Sequence, residues 1–86
     1  MWRIQFSKQA KEDIELLKAA GLDAKARTLL EVMRVNPFQN PPPYEKLKGC
    51  NPTQYSRRIN AKHRLHYFVL EENKTIRIIR MWSHYE

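Results

Sequence analysis

Glu45 is the single acidic residue between Glu31 and Glu71, and it opens the run Glu-Lys-Leu-Lys-Gly at positions 45–49. A carboxylate set among cations is held as an anion that can accept a proton. From Lys46 to Arg64 there are six basic residues, Lys46, Lys48, Arg57, Arg58, Lys62 and Arg64, with Tyr55 interleaved, His63 and His66 at the flank, and no acid. Such a stretch attracts a polyanion. His84, near the end of the sequence, is the side-chain type best able to give or take a proton near neutrality. Together these are the parts of one reaction. Cleaving RNA by its own 2′-hydroxyl requires a base for that hydroxyl, cations for the pentacovalent phosphorane and an acid for the leaving 5′-oxygen, and it requires no metal. Each part also has a plainer reading: a surface glutamate, a solvated histidine, and a basic face that keeps a small domain in solution.

Other chemistry is excluded by residue type and spacing. His63 and His66, three apart on an extended segment, face opposite sides and cannot jointly grip a metal. Cys50, the single cysteine, follows Gly49, so no intrachain disulfide, CxxC pair or Cys/His zinc pattern exists, and an inert thiol in a reducing cytosol is expected. No cofactor is implied. Across 86 residues, 16 Lys and Arg against 9 Asp and Glu leave a formal charge of +7. A chain of this size reads as one domain over residues 1–86, burying only roughly 60% of its unfolded surface. Apolar runs reach about four residues, against the ~20 of a membrane span, and Met1-Trp2-Arg3 is not followed by a signal-peptide core. A soluble, cytoplasmic protein is expected.

The elements that must position these residues follow from periodicity. Trp2, Ile4 and Phe6 alternate with Arg3 and Gln5 as in a half-buried strand. Ser7 offers an N-cap to a helix over about residues 8–20, whose stripe of Ala10, Ile14, Leu16, Leu17 and Ala20 ends at Gly21. Asp23 is expected to cap a second helix carrying Ala26, Leu29, Leu30 and Met33, which stops before Asn36-Pro37 because a residue preceding proline avoids the helical region. Residues 36–44 hold four prolines and read as a stiff surface connection; Pro-Pro-Pro-Tyr by itself would also suit a proline-binding domain. Residues 55–59, 64–70 and 75–82 read as strands, with Glu71-Glu72-Asn73-Lys74 as a hairpin turn. The expected fold class is α+β in the order βααβββ, an antiparallel sheet with both helices on one face and the basic residues on the other. Alternation groups Leu65, Tyr67 and Val69 against Arg64, His66 and Phe68. In the last strand it groups Ile76, Ile78, Arg80, Trp82 and, if the pleat persists, His84, without telling which side is core.

Four motifs, in this order and spacing, resemble the YoeB (Txe/YoeB) toxins of the RelE-like superfamily: Glu45-Lys-Leu-Lys48, Tyr55-Ser-Arg-Arg-Ile59, His63-Arg-Leu-His-Tyr67 and Trp82-Ser-His84-Tyr85. The resemblance covers essentially the whole chain, including the Asn36-Pro37-Phe38 connection. It implies a RelE-like fold and the toxin of a type II toxin–antitoxin pair, a ribosome-dependent mRNA endonuclease that cuts message in the A site. Carried over by position, it implies Glu45, Arg64, His84 and Tyr85 as the catalytic set, with Lys48 and Arg58 on phosphate; Arg57 and Tyr55 join the expected RNA contacts. A YefM-type antitoxin whose C-terminal segment wraps the toxin, and a toxin homodimer, are further implications. Two departures stand out: Tyr55 replaces a frequent tryptophan, and Glu86 follows Tyr85 where the family commonly ends at the tyrosine.

Two other classes of function fit the composition. A non-catalytic RNA- or ribosome-binding module would use the same basic face for affinity alone. DNA binding fits less well, because the second helix mixes Lys25, Arg27 and Arg34 with Asp23 and Glu31 and so presents no uniformly basic face.

Overall fold

Local signals build the helices much as their residues demand. In the computed structural model, which describes the backbone of residues 1–84 and the side chains through Ser83, strand β1 (Arg3–Phe6) runs into helix α1 (Lys8–Ala19). Ser7 caps α1: its Oγ accepts from the Ala10 amide at 3.0 Å and donates to the Ile79 carbonyl at 2.7 Å, tying the helix to the sheet. At the other end Gly21, at φ +71, closes the helix. Its amide reaches the Lys18 carbonyl and the Leu22 amide reaches the Leu17 carbonyl, the paired bonds that satisfy a helix terminus through a left-handed residue. Helix α2 (Asp23–Val35) follows, with Asn36 already extended before Pro37. Asp23 is not the cap. Leu22 occupies that position without a side-chain bond, and Asp23 stands inside the first turn, where its charge complements the helix dipole.

Four further strands follow: β2 (Glu45–Leu47), β3 (Gln54–Arg58), β4 (His63–Leu70) and, after a single 3₁₀ turn at Glu71–Asn73, β5 (Thr75–His84). They form one five-stranded sheet in the order β1-β5-β4-β3-β2. The α+β class holds, with two differences from expectation. The short strand β2 is additional, because three residues flanked by lysine and glycine carry no strand pattern of their own and become a strand only by pairing with β3. The sheet is also mixed, since β1 lies parallel to β5, with Ile4 beside Ile76 and Phe6 beside Ile78. That pairing joins segments some seventy residues apart, whose direction no local pattern encodes.

One face of the sheet carries the core. Ala10 and Leu17 of α1 and Ala26, Leu29 and Met33 of α2 pack on Leu65, Tyr67, Ile76, Ile78 and Met81. The 36–44 connection covers the same face alongside the helices. Phe38 and Tyr44 pack on Tyr55 at ring distances of 5.2 and 5.9 Å, and the Tyr67 hydroxyl donates to the Pro37 carbonyl at 2.8 Å.

The alternation of β5 breaks twice, once between Ile78 and Arg80 and again between Arg80 and Ser83. Its core-facing residues are Ile76 and Ile78 and then Met81, so even parity becomes odd. Eight residues of β4 are matched by ten of β5, and the register shifts on either side of His66. A bulge leaves backbone amides without a ladder partner. Asp13 on α1, wholly buried, supplies the acceptor: its Oδ2 takes the amides of Met81 and Trp82 at 2.9 and 3.2 Å and the Arg80 Nε–H at 3.0 Å, while Oδ1 takes Gln9 Nε2–H at 3.1 Å. Burial alone would raise this carboxyl's pKa, but the Met81 amide, Gln9 and Arg80 outweigh it and hold the pKa below its ordinary value. A depressed folded-state pKa stabilises above the unfolded value and loses that stabilisation as pH falls through the folded one. Asp13→Asn is therefore expected to cost about 2 kcal/mol in urea unfolding at pH 7. The gap to the unmodified protein should narrow steadily as the pH drops below the carboxylate range.

Candidate active site on the open sheet face

The uncovered face is a grid set by register. Glu45 pairs with Ser56, Ser56 with His66 and His66 with Arg80, so these four residues form one row across β2, β3, β4 and β5. In the adjacent row Arg58 pairs with Arg64 and Arg64 with Ser83. The alternation in β4, with His63, Leu65 and Tyr67 buried and Arg64, His66 and Phe68 only partly so, separates this face from the core.

Arg64 links the two rows. Its Nη2 lies 3.3 Å from Glu45 Oε1, and its Nη1 donates to Ser56 Oγ at 3.3 Å. The guanidinium is largely enclosed, with 11% of the side chain exposed, whereas Glu45 is 57% exposed. A carboxylate and a cation nineteen positions apart are thus brought together because β2 and β4 flank β3. His66 is half-buried in the same row as Glu45. Burial first, and then the charges of Arg64 and Arg80, lower its pKa and keep the imidazole neutral. Among the described residues no three His, Cys, Asp or Glu side chains gather as a metal site.

The remaining expected residues divide. Arg58 is exposed on the grid, and Lys48 is exposed in the turn that follows β2. The register sets the backbone of His84 opposite His63, one position beyond the Arg64–Ser83 pair, so β5 brings it to the Arg64 end of the sheet. The expectation for Tyr85 lies outside the described residues.

Arg57 and Tyr55 are corrected. Arg57 is 1% exposed on the covered face. It donates from Nη1 to the Pro42 carbonyl and from Nη2 to the carbonyls of Pro37 and Gln39, at 2.6, 3.0 and 2.9 Å, with the guanidinium stacked over Tyr44. Its charge holds the proline-rich connection in place and does not reach the grid. Tyr55 pairs with Tyr67 and belongs to the aromatic cluster beneath that connection, on the side away from Glu45. Both follow from parity, since Tyr55 and Arg57 alternate with Ser56 and Arg58. His63, expected to be structural, is buried and stacked on Trp82 at 3.9 Å.

Fold and face together define a small α+β domain of RelE-like fold with one open sheet face. The archaeal RelE–RelB complex from Pyrococcus horikoshii shares the fold at a TM-score of 0.78, with 20% identity over 95% of this chain and 93% of that one. The family model described as the YoeB-like toxin of bacterial type II toxin–antitoxin systems matches residues 6–85, and the chain belongs to that family. A YoeB/ParE toxin from Agrobacterium tumefaciens matches at a TM-score of 0.83, with 27% identity over 96% of this chain and 99% of that one. The heterotetrameric YoeB–YefM complex from Staphylococcus aureus matches at 0.78, with 36% identity over 99% of both chains. Comparison with curated protein sequences gives no match.

The structural role of Arg57 is open to test by substitution. Arg57→Met, which leaves the Pro42 and Gln39 carbonyls without a donor and takes one of two donors from Pro37, is expected to lower the unfolding free energy by about 2–4 kcal/mol. Calorimetry measures the effect.

Proposed function

We propose that this toxin is a ribosome-dependent mRNA endonuclease that cuts message in the A site by attack of the RNA's own 2′-hydroxyl. The observation that carries this reading is the Glu45–Arg64 pair at 3.3 Å on an open, basic sheet face, where a proton acceptor and a phosphate-binding cation stand side by side. Glu45 takes the 2′-hydroxyl proton, and the freed oxygen attacks phosphorus. As the phosphate enters, Arg64 turns from the carboxylate to the non-bridging oxygens, releasing Glu45 to act as base at the moment the cation is needed for the phosphorane. Arg58 and Lys48 add charge from the next row and the β2 turn. His84 protonates the 5′-oxygen as its bond to phosphorus breaks, leaving a 2′,3′-cyclic phosphate and a 5′-hydroxyl, and Tyr85 orients the nucleotide. The step balances without a metal or a redox partner.

The formal charge of +7 suits a ribosomal setting, since rRNA and message are both polyanions. It also suits control by an antitoxin with an acidic segment. The Staphylococcus aureus relative in a heterotetramer with YefM supports a YefM-type antitoxin and a toxin dimer for this chain as well. Action on translating ribosomes places the protein in the cytoplasm.

Primer extension on ribosome-bound message after induced expression tests the reading. The unmodified toxin is expected to give discrete stops, while Glu45→Gln and His84→Gln lose them by at least about a hundredfold, the size of one acid–base contribution, with unchanged circular dichroism. Growth arrest by the unmodified toxin without cut message would instead favour a non-catalytic ribosome-binding module.

A further inference from the structure

His66 is a group on the grid to which the reaction just described gives no role. It shares a row with Glu45, separated from it by Ser56 alone, so about two strand spacings, roughly 10 Å, lie between their backbones. Arg64 stands next to it along β4 and Arg80 directly across on β5, itself held by Asp13 of α1. The charged and polar groups around the ring are thus Arg64 on its own strand, Ser56 with Arg58 one row on from β3, Glu45 from β2, and Arg80 backed by Asp13. The ring takes part in none of the hydrogen bonds among the described residues, although it is half-buried between two arginines. A buried polar group is ordinarily bonded, and one left open on a ligand-facing surface is available to a ligand.

We propose that His66 is a phosphate contact of the RNA-binding face, donating a hydrogen bond to a non-bridging oxygen of the phosphodiester that Arg64 holds. This rests on reading the open face as the RNA site. The free protein keeps the imidazole neutral through its partial burial and its two arginine neighbours. An incoming phosphate cancels those positive charges and stabilises the imidazolium, so RNA binding draws a fraction of one proton per site from solvent onto the ring. The contact therefore strengthens as pH falls. Histidine here differs from another arginine in one respect: a third fixed cation would repel Arg64 and Arg80 in the empty site, whereas the imidazole gains charge as phosphate binds.

The test titrates the histidines of the full-length toxin by NMR, with and without a single-stranded RNA carrying 2′-O-methyl groups that prevent cleavage; His66→Gln identifies the resonance. Binding is expected to move the His66 midpoint up by about one pH unit. By linkage that equals about a tenfold gain in RNA affinity between pH 8 and pH 5 that is absent in His66→Gln. A midpoint unmoved by saturating RNA, equal pH dependence in the two proteins, or no binding of this RNA at low salt would overturn the proposal. Message cleavage is scored in parallel. Cut message with an unmoved His66 refutes this inference alone, and a shifted His66 without cut message refutes the endonuclease reading alone.

Discussion

The Asp13 carboxylate, buried between α1 and β5, is the contact on which the arrangement of the open sheet face depends. It takes two backbone amides and an arginine from three consecutive residues, Arg80, Met81 and Trp82, where the β4–β5 register slips. Without an acceptor there, the slip would strand two amides in the interior, at a cost comparable to a lost buried hydrogen bond for each. With it, Ile78 and Met81 can both face the core, and the last turn of the pleat is reset. Ser7 adds a second tie, from the start of the same helix to the Ile79 carbonyl. The first helix thus does more than cover the sheet: it holds the β4–β5 register that sets Ser83 opposite Arg64 and the backbone of His84 opposite His63.

Charge is partitioned by the pleat. Arg57 and Arg58 are adjacent in the chain and chemically identical, yet one is enclosed by three carbonyls under the proline-rich connection and the other is exposed beside Arg64. A guanidinium with five donors in a planar fork suits both tasks. In the first it holds a segment whose prolines leave carbonyls without matching amides; in the second it stands exposed on the open face. The +7 net charge therefore overstates the charge of that face, because Arg57 is enclosed on the other one.

Helix boundaries were legible in the sequence because their determinants are local. Ser7 caps through an amide three residues on, Gly21 accepts a positive φ, and Asn36-Pro37 stops α2. Glu45 and Arg64 stood out as residue types in a motif series, but their contact needed β2, a strand too short to announce itself. Grouping Tyr55, Arg57 and Arg58 together as RNA contacts passed over the alternation that sets Tyr55 and Arg57 opposite Ser56 and Arg58, and which pair is covered depended on where the 36–44 connection lies. Asp13 escaped notice for the same reason. Within its own helix it is one acid among several, and its role is set by amides 68 and 69 residues away.

The central claim is that the open face cuts RNA by turning its 2′-hydroxyl into the nucleophile. Analysis of the ends left on ribosome-bound message tests it most directly. A 5′-hydroxyl on the downstream fragment and a 2′,3′-cyclic phosphate, or the 3′-phosphate it opens to, on the upstream one is the result expected from Glu45 and Arg64 acting as described. A 5′-phosphate with a 3′-hydroxyl would mean that water, not the RNA, attacks phosphorus, and would contradict the account.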